Sequence, residues 1–348
     1  MKTLSFLSCI FVSVLFALMF GSLTQAAPYY AYAVGDSGVM KSTDNGLTWS
    51  SQYVGRSAYL TGVDFINANT GWVVGLNGDI FQTSDGGLTW AYQGSHSGNL
   101  WDVDFVDIDT GWAVGVGGTI LNTTDGGSTW SSQNIGTWAL NSVNFIDNST
   151  GWAVGYNGTI LSTTDGGSTW SYQNSGTSTA LWSTKFVNAS TGWAVGYNGT
   201  ILSTTDGGST WSYQNSGTSN NLSSIDFVDA NTGWAVGGGF GSYETILHTT
   251  DGGLNWTAQT PNHPTSSAAL LNSVDFIDST TGIVAGIWGA IRTTDDGGST
   301  WNSDNLGSTR SFQDISAVLV PEPMSSLLFV IGGALFAGRR YIKRKKKA

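Results

Sequence analysis

Cysteine is all but missing from this 348-residue chain: the single thiol, Cys9, stands in an apolar N-terminal run. A body without cysteine excludes thiol catalysis, thiolate metal sites and a disulfide framework. Charge is scarce too, at 11% of residues where about a quarter is usual. Only five prolines accompany 48 glycines, and the glycines follow no three-residue period, so a collagen-like chain is excluded. Basic residues are rarest where they would matter most. Lys41, Arg56, Lys185, Arg292 and Arg310 are the only ones between positions 27 and 320, which leaves that body at −18. Such a surface repels phosphate backbones and excludes nucleic acid as a partner. His96, His248 and His263 stand singly, without metal-ligand spacing, and Glu244 is the body's only glutamate. No catalytic constellation, metal or cofactor is expected. What is abundant is aromatic: 12% of the chain, with 16 tryptophans, which excludes a disordered chain and predicts a turn-rich, all-β protein.

The two ends have a different composition. Lys2 precedes an apolar run from Leu4 to about Phe20 and then the small residues before Pro28, the pattern of a secretory signal over 1–26. At the other end come Pro321, Glu322 and Pro323, an uncharged stretch from Met324 to Gly338, and a tail rich in lysine and arginine. Fifteen helical residues span roughly 22 Å, so snorkelling by Arg339 and Arg340 is needed to cross a bilayer. The positive cluster predicts a cytoplasmic tail with the acidic body exported, in the periplasm, outer envelope or beyond. This arrangement over 321–348 resembles the bacterial PEP-CTERM sorting signal. That resemblance implies a membrane-inserted exosortase as a processing partner and transient or lasting anchoring by this segment.

Between the ends, positions 27–320 are repetitive. The motif Ser/Thr-x-Asp-x-Gly-x-x-Trp occurs seven times, with aspartates at Asp44, Asp85, Asp125, Asp165, Asp206, Asp251 and Asp296. Its tryptophans are Trp49, Trp90, Trp130, Trp170, Trp211, Trp256 and Trp301, and residues 151–178 recur unchanged at 192–219. One unit divides into four strands, predicted at Leu140 to Ile146, Gly151 to Gly155, Gly158 to Thr163 and Thr169 to Gln173, with turn residues between them. Four short antiparallel strands every 40 to 45 residues indicate a seven-bladed β-propeller. The body begins on a second strand, and the missing first strand stands at Phe312 to Val320, so the C-terminal strand is expected to complete the N-terminal blade and close the ring.

The repeated box resembles the Asp-box of sialidases and other propellers. Its carboxylate is suited to accept backbone N–H bonds, its glycine to supply positive φ, and its hydroxyl to tie the loop. A residue used alike in every blade is expected to hold the blade together, so the boxes, and likewise Trp72, Trp112, Trp152, Trp193 and Trp234, are assigned to structure. Function is expected where copies diverge, on the opposite face: Arg56, His96, Trp138 and Arg310 in loops between blades, Gly237 to Glu244 and Trp288 between second and third strands. Arg56 and Arg310, in equivalent loops of successive blades, suggest an anion-recognition spot.

The whole unit, Asp-Phe-x-x-x-x-Thr-Gly-Trp-Ala-Val-Gly followed by the box, is similar to the photosystem II assembly and stability factor propellers over roughly residues 30 to 318. The resemblance implies a non-enzymatic scaffold that binds a protein partner through arginines, here Arg56 and Arg310. Two other readings compete. A sialidase-type glycosidase would use Arg56, Arg292 and Arg310 with Tyr243 and Glu244, but Arg292 aligns with Leu161 inside a third strand. A matrix-binding propeller would present Trp138, Tyr156, Tyr197 and Trp288 to an extracellular polysaccharide.

Overall fold

The computed structural model describes residues 27–56, 58–136, 138–239, 244–259, 270–306 and 310–320. The predicted signal, Tyr243, His263 and the segment with Pro321, Glu322 and Pro323 lie outside them. The described strands form seven four-stranded antiparallel sheets, arranged as the blades of a propeller. Blade 1 joins the two ends of the body: Phe312–Leu319 pairs along Tyr29–Gly35, with Ala31 opposite Ala317 and Ala33 opposite Ile315. Ring closure by the C-terminal strand therefore follows the sequence expectation, one residue shorter than predicted.

In blade 4 the strands are Leu140–Phe145, Gly151–Gly155, Ile160–Thr163 and Ser171–Gln173. The third begins later than predicted because Tyr156–Gly158 is a 3-10 turn in which the Tyr156 carbonyl accepts the Thr159 N–H at 3.1 Å. The fourth also begins later, since the Thr169 N–H is committed to the Asp165 carboxylate at 2.9 Å. Gly155 ends the second strand for a steric reason. A Cβ there would collide with the Ala139 carbonyl of the loop leading into the blade.

The core lies between blades rather than inside them. Trp112, Val114 and Ile120 of blade 3 pack with Leu140, Val143, Phe145, Ala153 and Leu161 of blade 4. Trp112 stacks flat on Phe145 with centroids 3.4 Å apart, and Trp170 meets the same phenyl edge-on. The Trp112 indole N–H crosses the seam to the Gly166 carbonyl at 3.0 Å, as Trp152 does to Gly207. Burying an indole contributes roughly 4 to 6 kcal/mol at about 25 cal/mol per Å². The same stack recurs at Trp72, Trp152, Trp193 and Trp234. Tyr32 replaces the indole on Phe65 between blades 1 and 2.

The Asp-boxes are the turns between third and fourth strands, and their bonds match the expectation. Asp165 accepts from the Thr163 hydroxyl (2.8 Å), the Thr169 N–H (2.9 Å) and the Thr169 hydroxyl (2.7 Å), while Gly167 N–H reaches the Thr163 hydroxyl. Gly166 and Gly167 both take positive φ, at 71° and 84°. These bonds hold the Asp165 carboxyl below its ordinary range.

Candidate functional site

One irregularity recurs in every blade. Pairing between first and second strands slips by one residue, as between Leu140 and Ser142 or Leu181 and Ser183. The residue left out is Thr61, Trp101, Asn141, Trp182, Ser223, Asn272 or Gln313. A β-bulge re-aims the side chain it carries. All seven line a single cavity of about 470 Å³ where the first strands begin, on the face opposite the Asp-boxes.

Below this rim the first strands line the channel in two further tiers. The upper holds Gly62, Asp102, Ser142, Ser183, Ser224, Ser273 and Asp314; the lower holds Asp64, Asp104, Asn144, Lys185, Asp226, Asp275 and Ser316. Each first strand is the inner edge of its sheet, so its outward N–H groups have no backbone partner. The neighbouring blade supplies one. Asp64 accepts from Phe105 N–H (2.7 Å), Asp104 from Phe145 (2.6 Å), Asn144 from Phe186 (2.8 Å) and Asp226 from Phe276 (2.8 Å). Asp275 and Ser316 cap Ala317 and Phe65 in the same way. Upper-tier Asp102 and Asp314 serve Val143 and Val63, both at 2.9 Å. Gly62 has no side chain to offer, and there Asp102 turns its second oxygen to its own neighbour, Val103 N–H.

Lys185 breaks the pattern, because an ammonium accepts nothing. It pairs instead with Asp226 at 2.9 Å, and that carboxylate with its neighbours holds the ammonium above its ordinary range. Five carboxyls are raised as well, which in them favours the neutral form. Removal from solvent, then repulsion by Asp102, brings Asp104 to about 7 despite the Phe145 bond. Removal from solvent likewise raises Asp102 to about 6, Asp275 to about 7 and Asp314 to about 7, and pushes Asp64 well up.

Aromatic side chains crowd one side of the rim. Trp182 meets Tyr156 and Tyr197 at 5.7 and 5.4 Å between ring centres, both edge-on. Trp101 and Tyr59 complete the lining, and the Gln313 amide donates to the Tyr59 hydroxyl at 2.9 Å. Comparing the repeats column by column locates these residues: after an almost constant leucine, one position reads Thr, Trp, Asn, Trp, Ser, Asn and Gln. Divergence among the loops points instead to the periphery.

Of the residues singled out from sequence, Tyr156 and Tyr197 line the cavity, whereas Arg56, Arg310, Trp138 and Trp288 do not. Arg56 pairs with the buried Asp79 at 3.2 Å and lies over the Tyr92 ring at 5.1 Å. Arg310 donates to the Met40 sulfur at 2.6 Å. The two arginines therefore hold different partners. Arg292 is buried in a third strand beside Glu244 at 3.4 Å, so the three arginines of the glycosidase reading do not converge on one site. Trp138, 62% exposed, stands over a shallow groove with Asn157, Tyr172 and Gln173. His248 stacks on Trp234, and among the described residues no three metal-ligating side chains gather.

A sequence profile described as photosynthesis system II assembly factor YCF48 matches residues 93–174, 137–212, 174–259 and 214–311. The chain belongs to the YCF48 family. Among solved structures, a YCF48 bound to a D1 peptide is 22% identical, with 78% of this chain and 96% of that one covered at a TM-score of 0.61. YCF48 from Cyanidioschyzon merolae is 23% identical over 75% and 89%, at 0.59. A xyloglucanase from Xanthomonas campestris reaches 0.63 at 12% identity, over 79% of this chain and 52% of its own. At these identities the structural likeness concerns the fold. No curated protein sequence matches. The YCF48 repeat thus supplies the frame, and this chain's own bulge residues supply the mouth.

Proposed function

We propose that this chain is an exported, non-enzymatic propeller that holds a protein partner at the channel mouth. The observation that carries it is the cavity ringed by seven bulged residues, where one frame presents five kinds of side chain from seven blades. Membership of the YCF48 family and the solved YCF48 bound to a D1 peptide support a protein partner over a small-molecule reaction. The leader over 1–26 supports export. The Pro321-Glu322-Pro323 element with its apolar and basic segments supports processing by an exosortase and anchoring at the inner membrane. Arg56, Arg310, Trp138 and Trp288 are placed at the periphery of the contact. A polysaccharide of the extracellular matrix is the second reading, favoured by the Trp182, Tyr156 and Tyr197 cluster.

Crosslinked affinity capture of the native exported chain tests this, with proteins and glycans identified in the same eluate. A protein retained by wild type, lost from Trp101→Ala/Trp182→Ala and reduced in Arg56→Ala/Arg310→Ala is the expected result. Glycan retained in its place would move the reading to matrix binding.

A further inference from the structure

The chemistry of the mouth narrows the partner further. Its rim offers indole and phenol rings, its wall carries Asp102 and Asp314, and the next tier adds Asp64, Asp104, Asp226 and Asp275. The one cation of these tiers, Lys185, is spent on Asp226. A channel this rich in carboxylate focuses negative potential at its opening. An anionic or phosphorylated guest is repelled. A neutral saccharide would stack on the rings but leave the repulsion among the carboxyls unrelieved. A guest that brings an apolar stem and a positive head satisfies both parts of the site, since the stem lies on Trp182 and Trp101 and the head faces Asp102 and Asp314.

Resting on the protein-partner reading above, we propose that the funnel takes an extended basic peptide segment, with a lysine or arginine side chain inserted between the aromatic rim and the Asp102 and Asp314 carboxylates. The carboxylates keep their edge-capping bonds in this complex, because a carboxylate has about four acceptor positions, and the bonds from Val143, Val103 and Ser142 to Asp102, and from Val63, Ile315 and Ser273 to Asp314, leave one for the guest. Tyr59 and Gln313 close the opposite side of the opening, already joined by their own hydrogen bond. The polarity is the reverse of an arginine patch binding an acidic partner.

The test uses the full-length chain in detergent and fluorescence anisotropy of a labelled glycine-serine peptide carrying lysines. The same peptide with acetyl-lysines, the same with glutamates, and a labelled neutral glucan oligosaccharide are run in parallel. The lysine peptide is expected to bind and to weaken with added salt. Trp182→Ala and the Asp102→Asn/Asp314→Asn pair should each weaken it about tenfold, while Leu88→Ala, exposed in an Asp-box turn on the opposite face, leaves it unchanged. The Asn variants retain acceptors for Val143 and Val63, and their melting curves check that the ring is intact. Equal binding of the acetylated peptide, no binding of the lysine peptide, or Trp182-dependent binding of the glucan alone would each overturn the proposal. If affinity capture retains a protein through Trp182 whose crosslinked segment lacks lysine and arginine, the basic-segment inference falls and the protein-partner reading stands.

Discussion

At the scale of single residues, Trp288 occupies a costly conformation. It sits at φ 57°, in the turn position that Asn77, Gly117, Asn157 and Asn198 fill in other blades, and it is 45% exposed. A bulky side chain in the left-handed region costs about 1–2 kcal/mol, which asparagine and glycine largely avoid. Trp288→Asn is therefore expected to stabilise the fold by about 1 kcal/mol, read as a shift in the urea midpoint at unchanged slope. Loss of captured partner in the same variant would show what the strain serves. Trp288 and Trp138 were legible as exceptions because they lie in loops that differ visibly between copies. Trp101 and Trp182 were not, since they sit within strands and look like core residues. Only the slip in pairing, a three-dimensional fact, turns them toward the cavity.

At the scale of the element, the first strand explains why an acidic channel exists at all. Its inner edge needs acceptors, and a short carboxylate, amide or hydroxyl from the preceding blade supplies them. The aspartate before the conserved phenylalanine was visible in the repeat, but its partner lies about forty residues on and no local pattern links them. Asn144 performs the same capping without charge. Asp104→Asn should thus keep the bond to Phe145 N–H, remove a repelled carboxyl, and raise the melting temperature at pH 8 but not at pH 5. Asp104→Ala should lower it at both, because a buried N–H left without an acceptor costs about 1–3 kcal/mol. Strand order, box geometry and closure were readable because each rests on periodicity and turn chemistry within one unit. The later starts of the third and fourth strands were less so, because a turn carbonyl and an Asp-box carboxylate compete for their first N–H groups.

At the scale of the whole molecule, two sets of aspartates titrate in opposite senses. The box carboxyls are held below their ordinary range, so their contribution is present above about pH 4 and lost as pH falls through the folded values. In the channel Asp64, Asp102, Asp104, Asp275 and Asp314 are raised, so the folded ring binds protons that the unfolded chain has released. Their contribution is full below about pH 4 and lost as pH rises through 6 to 7. Melting temperature should consequently climb from pH 8 to pH 5 and drop again under acid conditions, which calorimetry across that range will show. A profile flat from pH 5 to 8 would mean that the channel carboxyls are fully solvated. The bulge has a consequence of another kind. Because the leucine before it and the phenylalanine after it fix the strand in most blades, the displaced position can change from threonine to tryptophan to glutamine while the ladder keeps its register. Copying a blade, as residues 151–178 and 192–219 record, then adds an independent letter to a seven-letter inscription around the axis, and selection can rewrite one letter while the page stays bound.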